Sequence, residues 1–334
     1  VTHGAAETEE WLCSIGSLGI RAIGHRVVHG GLEYAHPETI TDRMLARLES
    51  FVPLAPLHQP AALRLIARTR RLYPDVPHIA CFDTAFHHTQ SELEHMLPLP
   101  RWYAREGVRR YGFHGLSYHH IASRLPDVLG EQSEGRVLVA HLGGGSSACA
   151  IHKRRSVAST MGFSTLDGMM MSTRSGALDP GALLYMLRNL GLKLDEVERL
   201  LYLESGLRGV SGISGDMREL LASGTPEARE AIALYCHAAA KQMASLLPAL
   251  GGIDALVFTG GIGEHAAEVR LGVGDDGLQP IDRMIAFGMV QLVGTQQRVV
   301  DATNDLRYRV GRIQRLIRIH LAGEIRVTRH LPAR

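Results

Sequence analysis

The sequence predicts an α/β fold in two domains, and three observations carry that reading. Short β-branched apolar runs alternate with longer stretches patterned as helices. Each apolar run ends near a glycine or a polar functional group, as strands do where an α/β sheet places its sites at their carboxyl ends. The length of 334 residues is also more than one hydrophobic core usually serves. In chain order, Ile23 to His29 reads as a strand closing on Gly30-Gly31, Ala61 to Leu72 as a helix, and His78 to Phe82 as a strand closing on Asp83. The domain change falls near His87 to Leu97, ahead of Pro98 and Pro100. Arg136 to His141 is the next strand. A glycine turn, a strand from Ala148 to His152, a charged turn at Lys153-Arg154 and a third strand follow, forming a meander up to Met161. Helices are expected over Ala182 to Leu190 and Glu227 to Leu247, a strand over Ile253 to Thr259, and a helix from Glu264.

Composition excludes several classes. Hydrophobic residues are 45% and charged residues 21% of the chain, with a net charge of +2, so nothing global favours nucleic acid or an anionic membrane. Anion binding, if present, is local. The longest apolar candidate, around Leu246-Leu247, is interrupted by Pro248, Gly251, Gly252 and Asp254, which argues against a membrane span. Glu7, Glu9 and Glu10 argue against a signal peptide. The four cysteines, Cys13, Cys81, Cys149 and Cys236, are widely spaced, with no Cys-x-x-Cys pair, and read as buried free thiols of a cytoplasmic protein.

Five segments offer groups suited to phosphoryl chemistry. Arg174 lies in the small-residue run 172–177, where its guanidinium fork can approach an anion. Arg26 ends a strand in Gly24-His25-Arg26-Val27-Val28-His29-Gly30-Gly31, and Asp83 follows the apolar run 79–82, where a buried acid needs a cation or donors. His114 sits between Phe113 and Gly115 in Arg109-Arg110-Tyr111-Gly112-Phe113-His114-Gly115. His141-Leu142-Gly143-Gly144-Gly145-Ser146-Ser147 is a glycine turn whose amides can meet a phosphate. Two arginines, a histidine, an acid and a glycine turn equip a site for phosphoryl transfer to or from a small carboxylate. His87, His88, His119 and His120 lack metal spacing and read as surface or supporting groups, and Arg68, Arg70 and Arg71 as a solvated helix face. The basic C-terminal tail reads as solvated.

Together with Pro56-Leu57-His58-Gln59-Pro60, Ser159-Thr160-Met161-Gly162-Phe163, Ser214-Gly215-Asp216-Met217-Arg218 and Phe258-Thr259-Gly260-Gly261-Ile262-Gly263-Glu264, these segments resemble the acetate kinase family, in order, from about Ile20 to Arg270. The meander likewise resembles the opening of an actin-like or sugar-kinase-like ATPase domain. The resemblance implies two α/β domains with ATP in the cleft, residues 1–90 with 318–334 forming an acyl-substrate domain and 91–317 a nucleotide-binding domain. It implies ATP and ADP as substrates with Mg2+ or Mn2+, acetate or a similar short carboxylate as acceptor, and a homodimer.

Residue by residue, the resemblance makes Asp83, His114 and Arg174 catalytic. Arg26 would bind the substrate carboxylate or the phosphate, with Val28, Leu57 and Phe113 around the acyl chain. Nucleotide contacts would come from His141, Leu142, Gly143, Gly144, Gly145, Asp216, Met217, Arg218, Gly261, Ile262, Gly263, Glu264 and His265, and a metal contact from Glu324. Three departures stand out. Gly144 replaces the usual Asn and is similar to the butyrate kinases, His265 replaces an Asn, and Thr165 stands where a proline is expected. The runner-up readings are a propionate or butyrate kinase, and a family member that binds nucleotide without efficient turnover. Family members also begin several tens of residues earlier, with a strand carrying an Asn-x-Gly-Ser-Ser-Ser-x-Lys-like loop. The first domain is therefore expected to be incomplete at its N-terminus and to carry an exposed sheet edge.

Overall fold

The computed structural model describes residues 20–275 and, beyond them, three short strands at 284–286, 315–319 and 325–329. Glu324, Cys13 and most of the basic tail lie outside the described residues.

Two sheets organise the chain. In the first, β1 (Ile23–Val27) pairs in parallel with β3 (His78–Phe82), and β2 (Glu38–Thr39) pairs antiparallel on the other side of β3. The order β1-β3-β2 leaves β1 at an edge among the described residues. The register sets Arg26 opposite Cys81 and Val27 opposite Phe82, and the Asp83 amide donates to the Val27 carbonyl at 3.0 Å. Arg26 and Asp83 therefore leave the same end of the sheet. Helix α1 (Gln59–Leu72) covers it with Ile66 in a core of Val27, Leu48, Ala80 and Phe82.

The second sheet runs β6-β5-β4-β7-β8, with β4 (Arg136–Leu142), β5 (Ser146–His152), β6 (Arg155–Ser159), β7 (Ala255–Thr259) and β8 (Met284–Ala286). β4, β5 and β6 form the expected antiparallel meander, and β4 then pairs in parallel with β7. Lys153 and Arg154 both take positive φ (51° and 58°), as a two-residue hairpin turn of matching twist requires. β4 is buried on both faces. Leu138 and Ala140 meet the core under α3 (Pro226–Ala244), while Val137 and Val139 meet α2 (Gly115–Leu129). Period-two alternation explains why one strand serves two cores.

Several helix boundaries depart from the sequence reading, and three of the departures have a plain local reason. The helix expected at Ala182 begins at Pro180, because the Asp179 carboxylate caps the Gly181 amide at 2.7 Å and proline suits the first turn. α3 ends at Ala244 rather than Leu247, since Pro248 crowds the carbonyl four residues back and starts a new turn, Leu247–Leu250. α4 (Gly260–His265) begins four residues before Glu264, whose carboxylate folds back onto the Gly260 amide and the Thr259 hydroxyl, both at 3.1 Å. Among the described residues, no helix is long and apolar enough to cross a membrane.

Candidate active site

The carboxyl ends of β1, β3, β4 and β7 supply most of the expected residues, and the N-terminus of α2 supplies His114. Arg26 reaches across to Asp83 with its Nε (3.1 and 3.0 Å) and Nη2 (2.6 Å). Asp83 is 2% exposed and the Arg26 side chain 59% exposed, so the pair has a buried acid and an open cation. This is the cation that the position of Asp83 demanded. Burial pushes the Asp83 carboxyl up from its usual range, and the Arg26 guanidinium opposes that push. The hydrogen bond to Asp83 in turn raises the pKa of Arg26. Asp83 Oδ1 accepts the shared Nε–H alone among the described residues, which leaves it a lone pair.

His114 caps α2 from a left-handed conformation (φ 57°, ψ 20°) that is uncommon for a side-chain-bearing residue and clusters at functional sites. The next residue, Gly115, donates its amide to the Asp83 carbonyl at 2.8 Å and leaves no room for a Cβ, which would sit 2.1 Å from that oxygen. The acid and the histidine are thus tied through one peptide. The His114 ring stacks on His141, with centroids 4.4 Å apart. Burial holds the His114 pKa well below the ordinary histidine value, with His141, Arg26 and Arg174 adding to the effect. His141 is pushed to about 4 by burial and then by Arg26.

Arg174 arrives from the small-residue loop and is fixed by donating to the Thr165 carbonyl at 2.6 Å. Burial lowers its pKa, and the charge of Arg26 adds to this. A Cβ placed on Gly145 would lie 2.7 Å from Arg174 Nη2 and 3.2 Å from His114 Nε2. The arginine and the histidine therefore converge on that glycine, and only glycine leaves them room. Thr165, standing where a proline is expected, serves this arrangement through its carbonyl.

The segments expected to meet the nucleotide gather beside the same turn. The Ser172 amide donates to the Gly144 carbonyl at 3.2 Å, and Gly215 packs on the Ser172 carbonyl, bringing 214–216 against the Arg174 loop. Parallel pairing of His141 with Thr259 brings Leu142 alongside Gly260 and Gly143 alongside the Gly261 amide, while the side-chain position of Gly261 faces open space. Several side chains in these segments have structural partners. Asp216 caps the helix Met217–Ser223 and pairs with Arg218, Met217 lies in the core, and Glu264 closes its own helix turn. His265 is exposed, and Ile262 packs against the core.

The expected acyl residues separate in kind. Val28 and Phe113 share a buried cluster with Ala55, Tyr111, Met161 and Met171, whereas Leu57 is exposed and lies outside it. Gln59, in α1, holds the loop behind Val28 by exchanging hydrogen bonds with the His29 backbone at 3.3 and 3.2 Å.

Sequence reasoning gave no role to His58, although its motif was in view. It is pushed to about 4 by burial, then by the charges of Arg174 and Arg26. Ser147 and Tyr118 were likewise unassigned, yet they contact His114 directly or through one hydroxyl. His87, read as a surface or supporting group, is fully buried, its Nε2 bonded to the Phe113 carbonyl at 2.9 Å and its Nδ1 to Ser156 Oγ at 2.9 Å. Arg70, read as solvated, pairs with Asp42 at 2.8 Å. Among the described residues, no cluster of three or more His, Cys, Asp or Glu could hold a metal unaided.

The chain is similar to known proteins in sequence and in fold. A profile described as the acetokinase family matches residues 6–279. An acetate kinase of Rhodopseudomonas palustris (strain ATCC BAA-98 / CGA009) is 56% identical over 252 residues, covering 75% of this chain and 63% of that protein. An acetate kinase of Methylocella silvestris is 50% identical over 249 residues, covering 75% and 62%. The chain thus spans about 63% of the length of such relatives. The crystal structure of a propionate kinase from Francisella tularensis superposes with a TM-score of 0.76 at 37% identity, over 81% of this chain and 71% of that one. That of Porphyromonas gingivalis acetate kinase superposes with a TM-score of 0.75 at 35% identity, over 82% and 72%. The fold is the two-domain actin-like, sugar-kinase-like one that the motifs implied. By its profile, its relatives and its architecture, the chain belongs to the acetokinase family.

Proposed function

We propose that this protein is an acetate kinase, transferring a phosphoryl group reversibly from ATP to acetate to give acetyl phosphate and ADP. The observation that carries this reading is the convergence of His114 Nε2 and Arg174 Nη2 on Gly145, with Arg26 close enough to depress both pKa values. The two guanidiniums repel each other, as the lowered pKa of Arg174 reflects, and an anionic substrate relieves that repulsion. A phosphoryl group in transfer spreads charge over its equatorial oxygens, and fixed donors there are worth more than in water.

In the forward direction a carboxylate oxygen forms a bond to the γ-phosphorus while the bond to the ADP oxygen breaks. Acetate is already ionised, so no proton leaves it. Arg26 holds the carboxylate, with Asp83 fixing the guanidinium's direction. His114 and Arg174 meet the equatorial oxygens, and amides of the 143–145 turn hold the nucleotide phosphates. Closure of the two domains, divided near residue 90, excludes the water that would hydrolyse an acyl phosphate. The residues suit a magnesium ion, which commonly takes one or two carboxylates plus substrate phosphates, because Asp83 Oδ1 keeps a lone pair. Asp83 and Glu324 would hold it, and it would neutralise phosphate charge.

A homodimer fits the helix Pro180–Arg188, none of whose residues is buried. Leu184 and Tyr185 in this helix, and Leu190 and Leu194 after it, are exposed apolar side chains of the kind a second copy covers.

A second reading, propionate kinase, is favoured by the Francisella neighbour. The two separate on acyl length. ATP formation from ADP and a series of acyl phosphates is expected to favour acetyl and propionyl over longer chains. One methylene is worth about 1–3 kcal/mol in such a pocket, so the preference is partial. A best rate with hexanoyl phosphate would reject both.

A further inference from the structure

The hydroxyls behind His114 determine which of its nitrogens carries the proton. Ser147 Oγ lies 2.8 Å from His114 Nδ1, and Tyr118 Oη lies 2.5 Å from the same Ser147 Oγ. Ser147 and Tyr118 are both 0% exposed, so no bulk water completes their bonding. The Tyr118 hydroxyl must place its own hydrogen, and Ser147 Oγ is its acceptor among the described residues. Ser147 then has one hydrogen left, and His114 Nδ1 is the group it faces. The opposite assignment, with Nδ1–H donating to Ser147, would leave the serine hydrogen buried without an acceptor. Both hydroxyl hydrogens find acceptors in one arrangement: Tyr118 O–H to Ser147, and Ser147 O–H to His114 Nδ1.

We propose that Tyr118 and Ser147 are positioning residues that hold His114 as the neutral Nε2–H tautomer, its proton presented beside Gly145 and Arg174. The far nitrogen is the one that approaches Gly145, at 3.2 Å from the position of a Cβ there, alongside Arg174 Nη2. A neutral imidazole with the other tautomer would offer a lone pair to an incoming anion, and a mobile ring would divide between the two. The serine therefore converts His114 from an ambiguous group into a fixed donor. Burial, with His141, Arg26 and Arg174 nearby, keeps the ring uncharged. Tyr118 sits one turn along α2 from His114 and Ser147 on the facing strand β5, so packing of α2 on the sheet sets the relay. The inference rests on the kinase reading for its purpose, though not for its geometry.

Imidazole nitrogen NMR on 15N-histidine-labelled protein tests it, with the His114 signals assigned by their absence in His114→Gln. The expected spectrum of the unaltered protein near pH 7.5 has His114 protonated at Nε2 and bare at Nδ1. Ser147→Ala is expected to mix the tautomers and lower kcat about tenfold or more, with the KM for ADP within about twofold, and Ser147→Thr to restore both. Tyr118→Phe is expected to shift the His114 nitrogens in the same direction by a smaller amount. A proton on Nδ1 in the unaltered protein overturns the proposal even if no variant folds. So does a His114 spectrum unchanged by Ser147→Ala. The spectrum reports without turnover, so an inactive protein with the expected tautomer would count against the kinase reading alone.

Discussion

Gly145 does more for the site than its lack of functional groups suggests. It is the surface on which His114 and Arg174 meet, and a single methyl there would overlap Arg174 Nη2 at 2.7 Å. Gly145→Ala is therefore expected to displace the guanidinium while leaving β4 and β5 paired. Positional errors of about 1 Å at a reacting group can cost about 10²-fold in rate, so turnover should fall by about that factor, with a melting temperature within a few degrees of the parent. A variant of full activity would mean that the arginine does not act from this position. Much of the residue-scale picture was legible. Arg26, Asp83, His114 and Arg174 stood in motifs whose chemistry could be named from residue type. The supporting contacts were not legible, because Ser147 and Tyr118 are separated by 29 positions and meet through the packing of α2 on β5. A serine next to a glycine turn gives no sign of which imidazole it will face.

At the scale of elements, strand positions were read well and helix starts poorly. His78–Phe82 was placed correctly because Pro77 and Asp83 bracket an unbroken apolar run. The missed starts at Pro180 and Gly260 were encoded by polar caps rather than by hydrophobic periodicity, which begins only where a helix first meets the core. The helix Pro180–Arg188 adds a further lesson, since it was expected as a helix from its pattern and the described residues leave all of its residues short of burial. If a second copy covers them, Tyr185→Lys should convert a dimer to a monomer in light scattering at micromolar concentration, with the far-ultraviolet circular dichroism of the parent. A parent protein that is monomeric throughout would remove the homodimer.

The molecule as a whole buries imidazoles in numbers that tie its stability to pH. His25, His29 and His87 are at most 5% exposed, and each is pushed from its ordinary 6.5 to about 4, first by burial. For each, the folded pKa lies below the unfolded one, so the unfolded chain binds more protons between those values. Stability from this source is fully present above about pH 6.5 and is lost as pH falls toward 4. The slope is up to about 1.4 kcal/mol per pH unit for each group. The melting temperature should be level from pH 7 to 8.5 and should drop steadily below 6.5. A level melting temperature down to pH 5 would show that these rings are not buried in the neutral form.

The central claim is that the cations meeting at the ends of two sheets stabilise a phosphoryl group during transfer rather than merely binding a nucleotide. Arg174→Ala separates these most directly, with ATP formation from acetyl phosphate and ADP measured beside ADP affinity by calorimetry. If the claim holds, kcat falls by about 10²–10³ while ADP affinity stays within a few-fold, as expected for one preorganised donor acting on the transition state. An unchanged kcat, or a loss confined to ADP affinity, would contradict it.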